Sequence, residues 1–357
     1  MKKKSPDLPS PENERIAVIG GGSWGATLAN LLAQKGHAVS VWEFLPETVK
    51  HLRETRTLKV LPQLRLHPSV EVTHDLPAAL REKRLVVMAV PSAHVRATCR
   101  AIQEGNVFPP NAWAVSVTKG IENDSLKRMS EIIAEEIPAA KNRIAVLSGP
   151  SHAEEVAKSV PTAVVVAGPD RFAERVQKIF NTDTFRVYSS TDFIGVELGG
   201  AIKNIYAIAT GICDGLGLGD NTKAALMTRS LNEMIRLGMA CGARGLTFFG
   251  LSGMGDLIVT CGSRHSRNRF IGEKIGRGES LKQALSEMTM VAEGVPTAKS
   301  AYQLAQRFHL ELPIVNEVYR CLYEDKPARR ALQDLLTRPV AGEMWQVENL
   351  FKKGMTL

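Results

Sequence analysis

Six short apolar runs punctuate the first half of the chain, at residues 16–19, 38–42, 85–90, 113–117, 144–147 and 163–167. They are rich in β-branched residues and almost continuously apolar, the pattern of strands buried on both faces of a parallel sheet. Segments with helical spacing, such as 24–34 and 125–136, lie between most of them. Alternating strand and helix predicts an α/β fold with crossover connections. After about Asp192 the pattern changes. Residues 196–215, 222–242, 267–276, 280–288, 297–308 and 314–322 all carry helical periodicity, and strand-like runs disappear. The spacing therefore predicts an α/β domain over 14–192 and an all-helical domain over 193–345. Polar tails flank them: 1–13, with Pro6, Pro9 and Pro11 and expected to be disordered, and 346–357.

Composition narrows the possibilities. The 357 residues carry 45 Lys and Arg against 37 Asp and Glu, a net charge of +8 that is scattered along the chain. Such an excess suits a phosphorylated metabolite or cofactor as well as it suits nucleic acid. Aromatic residues make up only 6%, thin for base-stacking platforms. The five cysteines are odd in number and none are spaced CxxC, which predicts reduced thiols in a cytoplasm, with neither a disulfide framework nor a metal site. No apolar run reaches the roughly 18 residues a membrane span requires. Lys2, Lys3 and Lys4 precede no apolar h-region, so the start does not read as a secretory signal.

The first apolar run leads straight into Gly20-Gly21-Gly22-Ser23-Trp24-Gly25, a G-x-G-x-x-G turn between a predicted strand and a predicted helix. Gly20 allows the tight turn, Gly22 lets the backbone approach a pyrophosphate, and Gly25 lets helix and strand pack closely. The helix N-terminus offers free N–H groups to phosphates. This context predicts a Rossmann-like dinucleotide-binding domain. An acidic residue about 20 positions on usually holds the ribose 2′-hydroxyl. Glu43 occupies that place, followed by Phe44, and would repel a 2′-phosphate; the other reading leaves Glu43 facing solvent. Lys119, at the carboxyl end of the fourth run, is either a cation for cofactor or anionic substrate, or a solvated loop lysine.

In the second half, Lys203 interrupts a wide apolar helical stripe whose neighbours, Gly199 and Gly200 among them, are small. Two helical glycines predict the close approach of a ligand or of another helix. Lys203 is either snorkelling from a buried helix, or a lysine in an apolar trough with a lowered pKa, fit for acid–base work. Downstream, residues 251–257 read as a glycine-rich turn holding one carboxylate, Asp256. Arginines and hydroxyls then crowd into 261–269, suited to a phosphate or to a solvated face.

Taken together, seven blocks in order resemble the bacterial-type NAD(P)-dependent sn-glycerol-3-phosphate dehydrogenases over nearly the whole chain. They are residues 20–25, 117–120, 148–155, 197–204, 217–223, 253–257 and 266–268. The resemblance implies reversible reduction of dihydroxyacetone phosphate by NAD(P)H to sn-glycerol 3-phosphate, for glycerophospholipid synthesis, by a homodimer joined through its helical domain. It implies Lys203 as general acid and base, and Lys119 in contact with both cofactor and substrate. Gly149, Ser151, Asp256, Ser266, Arg267 and Asn268 would line the substrate, the last two nearest its phosphate. Ser23, Trp24, Phe44, Ala153, Arg267, Val291 and Glu293 would meet the cofactor. Phe44 falls where the family varies between aromatic and basic residues, which puts strong NADP selectivity in doubt. Two other readings stand beside this one: a β-hydroxyacid or 6-phosphogluconate type of dehydrogenase, and a non-catalytic dinucleotide- or nucleic-acid-binding module.

Overall fold

The computed structural model describes residues 12–288, 290–340 and 342–343; apart from Glu12 and Asn13, the expected tails lie outside the described residues. The chain begins β1 (Arg15–Ile19), α1 (Ser23–Gln34), β2 (Ala38–Trp42), α2 (Pro46–Thr55), β3 (Glu71–Thr73), α3 (Leu76–Leu80) and β4 (Leu85–Met88). It continues α4 (Val95–Glu104), β5 (Trp113–Ser116), α5 (Met129–Glu136), β6 (Ile144–Ser148), α6 (Ala153–Val156), β7 (Thr162–Ala167), α7 (Asp170–Phe180) and β8 (Phe185–Ser190). All eight strands form one sheet in the order β3-β2-β1-β4-β5-β6-β7-β8. Alternate residues feed separate apolar layers: Ile16 and Val18 pack on one face, Ala17 and Ile19 on the other. The order reverses between β1 and β4, and ligands of open α/β sheets bind in the crevice beyond such a point.

The sheet departs from a wholly parallel one at β7, which runs antiparallel to β6. The link between them holds only the four-residue α6, and the chain folds back instead of crossing over. Two strands escape the apolar pattern. β3 has three residues, and β8 alternates buried and exposed positions because it is an edge strand with one covered side. The helix predicted from 125 begins only at Met129, since Asp124 and Leu126 adopt left-handed backbone (φ 68° and 60°) in a turn bridged between Ile121 and Arg128.

Beyond β8 the described chain is helical. Asp192 caps the first helix, its carboxylate accepting the Gly195 N–H at 3.0 Å. The helices are α8 (Phe193–Gly215), α9 (Asp220–Ala240), α10 (Asp256–Gly262), α11 (Arg267–Gly276), α12 (Leu281–Ser286), α13 (Gly294–Arg307), α14 (Pro313–Tyr323) and α15 (Ala328–Leu336). α8 is buried from Gly195 to Cys213, as its all-round apolar character requires, and the helical core assembles about it. Its tightest partner is α11. A Cβ on Gly272 would stand 1.9 Å from the Ile208 carbonyl oxygen, and one on Gly211 2.0 Å from that of Arg269, so the two backbones touch. Buried Glu197 of α8 ties this half to the sheet half, accepting from the Ser130 N–H (2.8 Å), the Ser130 hydroxyl (2.6 Å) and Arg128 (2.8 Å).

Gly272→Val should force α8 and α11 apart and cost about 1–3 kcal/mol or more, the range for overpacking. Urea unfolding measures this; a wild-type midpoint would show that the helices separate freely.

Candidate active site

The glycine turn lies at the reversal of strand order and is built for close approach. Gly20 has φ +113°, and a Cβ there would strike the Ala89–Val90 backbone at 2.8 Å. One on Gly25 would overlap the Gly20 carbonyl oxygen at 1.9 Å, whereas one on Gly22 would meet nothing within 4 Å. The turn is closed on the protein side and open at Gly22. No side chain caps α1, so the amides of Ser23, Trp24 and Gly25 are free for an anion. This cradle fits a dinucleotide pyrophosphate.

Around the turn, Glu43 is half-buried and faces inward. Its Oε2 accepts the Gly21 N–H at 2.9 Å and its Oε1 the Leu45 N–H at 3.1 Å, so the carboxylate braces the glycine turn itself. Phe44 is 73% exposed at the rim, its ring 6.3 Å from that of Trp42. The half-buried Trp24 ring lies 6.4 Å from Phe185, and α6, opened by Ala153, packs on α1. From the helical half, Met290 brings its sulfur 3.5 Å from the Ser23 hydroxyl. Glu293 reaches across to Ser92 after β4, accepting its N–H at 2.9 Å and its hydroxyl. Burial pushes the Glu293 carboxyl above the ordinary range, against the opposing pull of the Ser92 donors. Val291 is exposed, and its carbonyl accepts from Arg267 at 2.7 Å.

Where the end of β5 meets α8 and α10 lies a cluster of buried charge. The Lys203 ammonium, only 5% exposed, donates to the Thr260 hydroxyl at 2.5 Å and pairs with Asp256 Oδ1 at 2.9 Å. Lys119 pairs with the other oxygen of Asp256 at 2.5 Å and donates to the Gly149 carbonyl at 3.1 Å. Ser151 donates to the same carbonyl at 3.0 Å. Burial lowers the Lys203 pKa to about 8, with Asp256 opposing the fall and Lys119 adding to it. Burial would raise the Asp256 carboxyl, but the two lysines outweigh it and hold it below its ordinary value. The glycines beside Lys203 serve protein packing: a Cβ on Gly199 would meet the Ser252 carbonyl at 2.7 Å, and one on Gly200 the Ser148 hydroxyl at 2.1 Å.

The N-terminus of α11 closes this end. Ser266 caps it, its hydroxyl accepting the Arg269 N–H at 3.2 Å. The Asn268 side chain joins Asn204, next to Lys203, with Nδ2 donating to Oδ1 at 2.8 Å, and its own Oδ1 accepts the Gly294 N–H at 2.8 Å. The side chains of Ser266 and Asn268 are therefore committed within the protein, leaving first-turn amides and Arg267 for an outside anion. Arg269 is held by Asp214 at 2.6 Å, which removes it from the basic cluster of 261–269.

The structure thus joins Lys119, Gly149, Ser151, Lys203 and Asp256 in one bonded cluster and sets Ser266–Asn268 beside it. It places Gly20–Gly25, Glu43, Ala153 and Glu293 about the turn and leaves Phe44 and Val291 at the surface. Sequence reasoning gave no role to Thr260 or Asn204, and put Ser92 at the ligand-binding edge of the sheet without finding its partner Glu293. Thr260 stands four residues after Asp256, on the same face of α10, a spacing legible only once 256–262 is read as helix.

The chain also matches known proteins over most of its length. Residues 15–173 match the NAD-dependent glycerol-3-phosphate dehydrogenase N-terminus and residues 192–333 its C-terminus. The glycerol-3-phosphate dehydrogenase [NAD(P)+] of Geobacter sp. (strain M21) is 51% identical over 334 residues, 92% of this chain and 99% of the relative. The chain belongs to the NAD-dependent glycerol-3-phosphate dehydrogenase family. That of Moorella thermoacetica is 50% identical over 333 residues, covering 93% and 98% of the two chains. The crystal structure of glycerol-3-phosphate dehydrogenase from Coxiella burnetii, 36% identical, superposes with a TM-score of 0.87 over 92% of this chain and all of that one. This dehydrogenase is an NAD(P)+-dependent oxidoreductase, a Rossmann-like domain followed by a helical one. No helix among its described residues is long and apolar enough to cross a membrane.

Asp256→Asn removes the charge that keeps Lys203 protonated. The titration midpoint of the Lys203 amine, followed by the pH dependence of its reductive methylation, should fall below about 8. An unmoved midpoint would mean that Asp256 does not set the charge on this amine.

Proposed function

We propose that the enzyme reduces dihydroxyacetone phosphate to sn-glycerol 3-phosphate reversibly, with Lys203 as general acid and base. The observation that carries this is the Lys203 ammonium: it is buried against Asp256, which also binds Lys119 beyond β5, and its pKa of about 8 lets it give or take a proton near neutrality. Thr260 and Asp256 engage two of its three N–H donors and aim the third. The nicotinamide coenzyme, when bound, supplies the hydride. As negative charge grows on the carbonyl oxygen, the ammonium stabilises it and passes over a proton. Lys119 adds positive field from the other side of Asp256. Gly149 and Ser151 shape the substrate side, and Gly20, Gly22, Gly25 and the amides of Ser23 and Trp24 hold the pyrophosphate. Glu43, Phe44, Ala153, Val291 and Glu293 border the coenzyme, and Glu43 disfavours a 2′-phosphate.

The substrate phosphate sits at the N-terminus of α11, on the Arg267 guanidinium and the amides of Arg267 and Asn268. Its binding energy fixes the carbonyl near the amine. The product serves glycerophospholipid synthesis in the cytoplasm, and the five unpaired cysteines support a reducing compartment. The enzyme acts as a homodimer joined through its helical half; exposed Leu246, Phe249 and Ile258 there support an apolar contact.

A spectrophotometric assay of dihydroxyacetone phosphate with NADH and NADPH side by side tests the reading. Reduction should fall as pH rises through about 8, because the acid form of Lys203 is lost, and oxidation should rise over the same range. Lys203→Ala should lower kcat by roughly 10²–10⁴-fold while coenzyme affinity survives. Near-normal turnover would remove Lys203 from the proton role. Arg267→Ala should raise KM for dihydroxyacetone phosphate and erode its advantage over dihydroxyacetone. An unchanged ratio of kcat/KM for the two ketones would show that Arg267 is no phosphate anchor.

A further inference from the structure

Lys119 is a cation of the sheet half that reaches Asp256 of the helical half, and it does so from a loop, since β5 ends at Ser116. A flexible four-carbon stem does not by itself fix where an ammonium rests, so the place of this one depends on the backbone beneath it. Contacts with the loop after β4 hold that backbone. The Val117 N–H donates to the Met88 carbonyl at 3.0 Å, one residue beyond Ser116, the last that β5 pairs with β4. The half-buried Thr118 hydroxyl lies 2.7 Å from the Val90 carbonyl and 3.2 Å from that of Met88. A hydroxyl has one proton to donate, and the Met88 carbonyl already accepts the Val117 N–H, so the bond that Thr118 adds is the one to Val90. On the far side of Lys119, Gly120 lies against Ser92: a Cβ on Gly120 would stand 2.4 Å from that of Ser92. Ser92 is itself fixed by its N–H and its hydroxyl to Glu293.

Resting on the reading of Lys119 as a source of positive field at the substrate carbonyl, we propose that Thr118 is a positioning residue for the reduction. Its bond to the Val90 carbonyl sets where Lys119 stands, and through Lys119 how Asp256 is shared with Lys203. The Thr118 proton is spent on backbone, so its effect on the reaction passes through its neighbour. Lys119 has little slack: its ammonium is held at 2.5 Å from Asp256 and 3.1 Å from the Gly149 carbonyl. If the loop shifts, the ammonium either drags the carboxylate with it or lets it go. Both disturb a charge whose value to the reaction lies in being fixed before the oxyanion develops. A misplacement of about 1 Å in such a group costs up to about 10²-fold in rate.

The test is kcat/KM for dihydroxyacetone phosphate at saturating NADH in the intact enzyme, its Thr118→Val and Lys119→Met variants and the double variant. Thr118→Val keeps the branched shape and removes the donor. It should lower kcat/KM about ten- to a hundredfold. Thr118→Ser, which keeps the hydroxyl, should retain most of the wild-type value. In the double variant, Thr118→Val should cost nothing beyond Lys119→Met, because a residue that acts through Lys119 has nothing left to act on. A Lys119→Met enzyme close to wild type would end the reading of Lys119, and the positioning role with it. Three results beside an impaired Lys119→Met would overturn the positioning role and leave the reading of Lys119 standing: a Thr118→Val that matches wild type, a loss that multiplies that of Lys119→Met, or a Thr118→Ser as impaired as Thr118→Val. Should Thr118→Val not fold, Thr118→Ala in the same cycle decides.

Discussion

A charged amine inside a protein must be compensated, and in this enzyme the compensation is shared. Asp256 is the only carboxylate bonded to either Lys203 or Lys119 among the described residues, one oxygen to each. The trio carries a net charge of one, placed where a developing oxyanion would neutralise it. Removing one partner of such a buried pair is far more damaging than never having built it, because the other charge is left stranded. The local architecture follows from keeping this trio in place. α8 is buried throughout so that its lysine is too, Gly199 and Gly200 admit the neighbouring chain, and Thr260 orients the ammonium one helical turn beyond the carboxylate.

What can be read from the residues and what cannot divides along physical lines. Strands covered on both faces announce themselves by unbroken apolar runs, and six of the eight do so. The other two carry little apolar signal: β3 is too short, and β8 is polar on its open side. The antiparallel turn at β7 leaves no mark on hydrophobicity, since a buried strand looks alike in either direction. Within the site, the glycine turn and Lys203 were legible because each breaks a local rule, glycines in a helix start and a cation in an apolar stripe. Thr260, Asn204 and Ser92 break none. They matter through partners distant in sequence, and only the folded chain brings those together. Residues 251–257 were half read: the carboxylate was seen, but the glycine-rich turn is a π-helical turn, Leu251–Gly255, running into α10.

Directed hydrogen bonds join the two halves. Glu197 takes the Arg128–Ser130 corner, Glu293 takes Ser92, and the Ser300 hydroxyl donates to the Ile121 carbonyl at 3.0 Å. Two of these anchors are carboxylates whose affinity for protons burial has raised. Their hold on the sheet half is a matter of directed donors more than of charge. Such joints fix the orientation of the two halves sharply.

The glycine contact between α8 and α11 has a geometric consequence. Lys203 stands on one of these helices, and the amides proposed to receive the substrate phosphate begin the other. Because main chain meets main chain, no rotamer change can lengthen or shorten the span between them. The pair works as a caliper with welded jaws, and its gauge belongs to the backbone. Substitution at the exposed rim, at Phe44 for example, would leave that gauge untouched. Admitting a substrate one carbon longer would require recasting the jaws themselves.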